Sequence, residues 1–196
     1  MIKGIFFDVG GVLLTHDIET FYMKLSKKLN VDYESFMHLH HKHKRSLLLG
    51  KMTAWEFSEK AAKEFKMDMR YPLWKNIYLK ATPPNKAVLK IVKRLKGKYV
   101  LGIISNSMED CDAINSERGI YNGFNPVILS SRRGIAKPSI EMFKLALKEA
   151  GLKANDCVFI DDRKILLDTP KNMGFHTILY QSPTQLEKEL KLVAIS

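Results

Sequence analysis

Cysteine is nearly absent: Cys111 and Cys157 are the only two in 196 residues. They fall in segments that read as a helix start and a buried strand, which excludes a disulfide framework or a cysteine-based zinc site and points to a reducing, cytoplasmic compartment. Long apolar runs are missing too, since Tyr99 to Ile104 and Cys157 to Ile160 are far shorter than the roughly 20 residues of a membrane-spanning helix. No membrane is expected as a partner. Met1 to Phe7 leads straight into an acidic residue without a small-residue cleavage site, so it does not resemble a secretory signal. With 7 Pro and 11 Gly, the chain is neither collagenous nor of low complexity, and the P-loop and dinucleotide glycine patterns do not occur. Acidic residues are in the minority, 21 against 32 Lys and Arg, for a formal charge of +11. That balance favours an anionic partner. Zinc-finger spacing and an interleaved aromatic and basic strand are both missing, so nucleic acid is not expected to be that partner.

What remains is a globular composition, 45% hydrophobic and 27% charged, at the length of one domain carrying a modest insertion. Short apolar runs at Ile2 to Phe7, Tyr99 to Ile104, Pro126 to Leu129 and Cys157 to Ile160 read as buried strands, with a last strand at Phe175 to Tyr180. Helical patterns lie between them. Ser139 to Ala150 has apolar residues at 140, 142, 143, 146 and 147 and stops at Gly151. Alternation of this kind predicts an α/β fold, a doubly wound parallel sheet with helices on both faces. From about Asp17 to Thr82 the pattern is helical alone, in four stretches, and Thr53-Ala54-Trp55-Glu56 has capping-box spacing. This predicts an inserted helical cap over 17–82 on a core of 1–16 and 83–196, with Trp55, Phe57, Trp74 and Tyr78 as cap core.

The first, second and fourth strand runs end in polar residues of distinct chemistry: Asp8, then Ser105-Asn106, and Asp161-Asp162. Lys137 stands before a helix. In such sheets ligands bind beyond the carboxyl ends of the strands. Three carboxylates converging there need a cation, and hard oxygen donors suit Mg²⁺. Hydroxyl, amide and ammonium donors match a phosphoryl group that a carboxylate attacks in line, so the set reads as phosphoryl transfer through an aspartyl-phosphate.

In order along the chain, Phe6 to Leu13, Ile104-Ser105-Asn106, Gly134 to Pro138 and Phe159 to Arg163 resemble the four motifs of the haloacid dehalogenase superfamily, in the subgroup with a small helical cap between the first two. The resemblance implies that Asp8 is the catalytic nucleophile and a metal ligand. It implies Asp162 as the direct metal ligand of the fourth motif with Asp161 as its support, and Gly10 as donor of a backbone carbonyl to the same metal. Ser105 and Asn106 would bind phosphoryl oxygens, and Lys137 would serve catalysis and substrate binding by offsetting the charge shared by Asp8 and the phosphate. The implied activity is Mg²⁺-dependent hydrolysis of a small phosphorylated metabolite, with the oligomeric state left open.

Two departures set alternatives beside this reading. Gly10 stands where the usual phosphatase has a general-acid aspartate, and Leu166 where the fourth motif commonly has Asn or Asp. Asp17 is the nearest replacement acid, or else a helix-start residue. A catalytically weak binding or regulatory protein of the same fold, or a 2-haloacid dehalogenase, are the competing functions. The run His38 to Arg45 reads as a solvated basic helix face, as a face overhanging the site that attracts anions, or as a transition-metal site.

Overall fold

The computed structural model describes residues 1–16, 18–67 and 70–193. Its centre is a five-stranded sheet, all parallel, built from β1 (Gly4–Phe7), β2 (Val100–Ser105), β3 (Val127–Leu129), β4 (Cys157–Asp161) and β5 (His176–Leu179) in the order β3-β2-β1-β4-β5. All five are expected from the apolar runs, with ends moved by one or two residues. The chain fills one side of β1 and then crosses to the other, so the strand order reverses at β1.

Both faces of the sheet are buried, and the two-residue period of a strand sorts its side chains between two cores. Ile5 and Phe7 of β1, Leu101 and Ile103 of β2, and Val158 and Ile160 of β4 join one core. Phe6, Ile104, Cys157 and Phe159 join the other. In register, Phe6 faces Gly102 on one side and Phe159 on the other; a β-carbon at Gly102 would come 2.5 Å from the Phe6 ring, so glycine there makes room for it.

Ten helices complete the described residues: α1 (Ile18–Leu29), α2 (Tyr33–Leu48), α3 (Ala54–Glu64), α4 (Tyr71–Ala81), α5 (Lys86–Leu95), α6 (Glu109–Glu117), α7 (Ser130–Arg133), α8 (Ile140–Ala150), α9 (Asp168–Asn172) and α10 (Pro183–Leu192). Helices α5 and α10 pack on the first sheet face, and α8 packs on the second. Helices α1 to α4 are all inserted between β1 and α5. The capping box at α3 forms as its spacing predicts, with Thr53 and Glu56 bonding each other's backbone. These four helices enclose a third core around Phe21, Tyr22, Phe36, Phe57 and Trp74, completed by Met108, Cys111 and Ile114 at α6. Trp55 lies at its edge, half buried.

Where the chain leaves and re-enters the sheet region, Leu14 and Pro84 form an antiparallel bridge. Thr15 N donates to Pro83 O at 3.0 Å, and Asn85 N donates to Leu13 O at 2.8 Å. The Asn85 side chain reaches Val12 O at 3.0 Å and Tyr180 Oη at 2.9 Å. No helix among the described residues is long and apolar enough to cross a membrane.

Candidate active site

Asp8 is the residue after β1, and its N–H donates to Ile160 O at 2.9 Å, which holds it level with the end of β4. The chain then turns through Val9–Leu13, an irregular helical turn broken at Gly10 (φ −66°, ψ 131°) and Gly11 (φ 75°). Val9, Val12 and Leu13 are buried there and anchor the turn. Gly11 is required twice over: its φ is left-handed, and a β-carbon would overlap the Asp162 carboxylate. The position that departs from the family pattern, Gly10, has an ordinary φ.

Lys137 is the hub. Its Nζ lies 3.0 Å from Asp8 Oδ1 and 2.6 Å from Asp161 Oδ2, with the lysine side chain and Asp161 fully buried. Burial opposes the ammonium charge, but the two carboxylates outweigh it and hold Lys137 above the usual lysine value. Asp161 is pushed up to about 6, first by burial and then by the charge of Asp8, against the pull of Lys137. Its other oxygen accepts Arg163 N at 2.9 Å. Asp161 therefore spends both oxygens on the protein, as a support behind the site. It does not line the cavity.

Asn106 has an employment the motif alone does not reveal. Its Oδ1 accepts Lys137 N at 2.7 Å and its Nδ2 donates to Lys137 O at 3.0 Å, clamping the lysine backbone to the end of β2. One Nδ2 hydrogen remains for a ligand. Ser105 Oγ touches only the neighbouring carbonyl, at 3.5 Å.

Asp8, Gly10, Ser105, Asn106, Lys137 and Asp162 all line one cavity of about 350 Å³ between the strand tips and the helical insertion. Leu166 lines it too, buried and apolar. Asp17 lies outside the described residues. His40, His41 and Lys44 contribute from α2, so the basic run divides: these three line the cavity, while His38, Lys42 and Arg45 do not and are exposed, as is the outer part of His41. Among the described residues, only Asp8, Asp161 and Asp162 are gathered as a metal could use them, with one oxygen of each within 4.8 Å of the others. Asp8 Oδ1 is buried and, beyond its ion pair with Lys137, receives no directed hydrogen bond. Hard anionic oxygens with such an open acceptor fit Mg²⁺.

A second polar cluster, which no sequence motif marks, also lines the cavity. Asp112, on α6, accepts Ser107 Oγ at 2.9 Å and Ser131 Oγ at 2.5 Å on Oδ2, and Tyr121 Oη at 3.0 Å on Oδ1. Asn115 Nδ2 donates to Tyr121 Oη at 3.3 Å and to Tyr78 Oη at 3.1 Å. Arg118 donates to Asn115 Oδ1 at 2.6 Å and to Thr82 O at 2.8 Å. The network joins the loop after β2, helices α6 and α7, and α4 of the insertion. Tyr78, Thr82 and Ser131 come from farther along the chain; the i, i+3 spacings of Asp112, Asn115 and Arg118 are a local trace, but many solvated helices share them.

Strand-tip carboxylates around one buried lysine, at the carboxyl edge of a parallel sheet, define a class of α/β enzyme. The chain belongs to the haloacid dehalogenase-like hydrolases, whose family model matches residues 2–165. It is 23% identical over 206 residues to D-ribitol-5-phosphate phosphatase of Bacteroides thetaiotaomicron, a match spanning 98% of each chain. With acyl-CoA dehydrogenase family member 10 of Mus musculus it shares 34% identity over 68 residues, 35% of this chain and only 6% of that protein. A wild-type haloacid dehalogenase family enzyme of B. thetaiotaomicron, crystallised with magnesium and inorganic phosphate, has the same fold. Its TM-score is 0.73 at 22% identity, over 92% of this chain and 95% of that one.

Proposed function

We propose that the protein is a Mg²⁺-dependent phosphatase acting on a small phosphorylated metabolite through a phosphoryl group carried on Asp8. The observation that supports this most is the buried Lys137 paired with Asp8 at 3.0 Å, at the end of a cavity that Asp162 also lines. Asp8, Asp162 and the Gly10 carbonyl would hold the metal, with Asp161 supporting through Lys137 and Arg163 N. When bound, Mg²⁺ neutralises the carboxylates and phosphoryl oxygens that would otherwise repel one another. Residues 17–82 act in this reading as the cap over a core of 1–16 and 83–196.

In the first step an Asp8 oxygen attacks phosphorus and the P–O bond to the leaving alcohol breaks. Ser105, the free Asn106 hydrogen and Lys137 bind the phosphoryl oxygens. Gly10 has no proton to give, so the leaving oxygen takes its proton from water. Loss of general-acid help slows esters of poor leaving groups by about 10² to 10⁴. Water then attacks the phosphoryl group, releasing phosphate and restoring the Asp8 carboxylate. This reading agrees with the phosphatase among the relatives.

The test is a phosphate-release screen over phosphorylated metabolites, with Mg²⁺ and with chelator. Mg²⁺-dependent release that disappears in Asp8→Asn is expected. Equal release in chelator would remove the metal from the reaction, and a wild-type protein inert on every ester would turn the reading toward a binding protein of the same fold.

A further inference from the structure

One part of the cavity lining is a joined set of polar side chains. Tyr78, Ser107, Asp112, Asn115 and Tyr121 make up this part, and all are joined in the network centred on Asp112 and Asn115. On the insertion side, His40 Nδ1 and Trp74 Nε1 are buried without a hydrogen-bond partner, and of these two residues only His40 lines the cavity. His40 is 5% exposed and is held by rings, with Tyr22 at 4.6 Å and Phe57 at 5.7 Å between centroids.

We infer that this part of the cavity is a polyol site, in which Asp112, Ser107, Tyr121 and the imidazole of His40 read the hydroxyl groups of a small alcohol that bears no charge besides its phosphate. The inference rests on the phosphatase reading and names its substrate class. An ionised carboxylate offers about four acceptor sites, and three of those on Asp112 are filled, which leaves one for a ligand O–H. Ser107 and Ser131 donate to Asp112 and so keep acceptor lone pairs. Tyr121 Oη already donates to Asp112 and accepts from Asn115, which orients it. The set is thus rich in directed donors and acceptors, and its one cation, Arg118, is spent on Asn115 Oδ1 and Thr82 O and does not line the cavity. Asp112 is buried, so a second carboxylate or phosphate placed beside its carboxylate would be repelled where water cannot screen it. The modest cavity volume, at the small end for ligand sites, restricts the alcohol to a short chain.

Three esters of equal carbon count separate the possibilities: glycerol 1-phosphate, propyl phosphate and 3-phosphoglycerate. The wild-type kcat/KM should favour glycerol phosphate over propyl phosphate by about 10² or more, because a site built to bind hydroxyls rejects the analogue that lacks them. Phosphoglycerate should fall below glycerol phosphate. In His40→Phe and in Tyr121→Phe, each folded by near-ultraviolet circular dichroism, the glycerol-to-propyl ratio should shrink about tenfold. The same ratios are read as affinities by calorimetry in Asp8→Asn, where turnover does not intervene. A wild-type protein inert on all esters, but with the affinity preference in Asp8→Asn, would overturn the phosphatase reading and keep the polyol site. Equal treatment of glycerol and propyl phosphate in both assays would overturn the polyol site, as would ratios untouched by both variants. Should a variant fail to fold, the wild-type ratios and the rejection of phosphoglycerate still decide.

Discussion

Asp8, the nucleophile of the proposed reaction, lies 3.0 Å from the Lys137 ammonium, which offsets its charge. In Asp8→Asn the side chain keeps its shape but is no longer anionic or nucleophilic. Phosphate release should disappear with the unfolding midpoint nearly unchanged, as urea titration of both proteins would show. Lys137→Met should behave otherwise, because it leaves Asp8 and Asp161 as two buried carboxylates without their counter-ion. A loss of about 3 to 5 kcal/mol is expected, recovered in part by adding Asp161→Asn, and measured by the same titration. Gly10→Asp is the third residue-scale prediction. The φ of −66° at Gly10 suits any residue, whereas the neighbouring Gly11 is the one the backbone holds at positive φ. The variant should therefore fold, and should accelerate alkyl phosphates by at most about 10² to 10⁴ with little gain on an aryl phosphate. No gain on any alkyl phosphate would remove the missing acid as the cause of slow turnover. Asp8, Ser105 and Asp162 are legible in the sequence because each follows or ends an apolar run that can only be a buried strand. The clamp that Asn106 places on Lys137 is not, since it depends on two loops meeting 31 residues apart.

Helix α2 shows how one periodic element splits a basic run between two tasks. Lys44 lines the cavity and Lys42, two residues earlier, points away from it, because positions two apart on a helix do not share a face. Lys44→Gln should raise KM for an anionic ester several-fold at low salt, and Lys42→Gln should leave it near the wild-type value; steady-state kinetics of the two variants checks this. His40, on the same helix, is pushed down to about 4, first by burial and then by the neighbouring charges of His41 and Lys44. Its remaining neighbours, Tyr22 of α1 and Phe57 of α3, are uncharged. The folded state thus holds His40 neutral while the unfolded chain protonates near 6.5. Stability from this residue is complete above that pH and is lost as pH falls toward 4, by roughly 3 kcal/mol in all. His40→Phe should flatten that part of the wild-type acid limb, seen as a smaller drop in urea midpoint between pH 7 and pH 4.5. A transition metal on this run is disfavoured because, among the described residues, only Asp8, Asp161 and Asp162 are gathered as a metal could use them. Periodicity makes α2 readable as a helix, but which face meets the cavity is decided by tertiary packing.

At the scale of the molecule, the doubly wound sheet is legible because its strands are buried on both faces and stand out as unbroken apolar runs. The network on Asp112 is illegible for the opposite reason: its polar residues on and beside α6 read as a solvated helix until Tyr78 of α4, Thr82 and Ser131 of α7 are brought to them. The formal charge of +11 is a property of the whole surface, and it should make kcat/KM for a dianionic ester fall steadily as salt is raised past the point where the Debye length drops below about 10 Å. A flat salt profile would confine the electrostatics to the site itself. The paired crossing at Leu14 and Pro84 bears on how the chain is built. The excursion from Thr15 to Pro83 starts and ends at one doorway, whose posts are bonded to each other and, through Asn85, to the sheet. Closing a longer or shorter excursion costs only a logarithmic increment of entropy. The length of the excursion is therefore nearly free, but its helices are not separable from what lies beneath them, because Met108, Cys111 and Ile114 at α6 complete their apolar core and Tyr78 joins the network on Asn115.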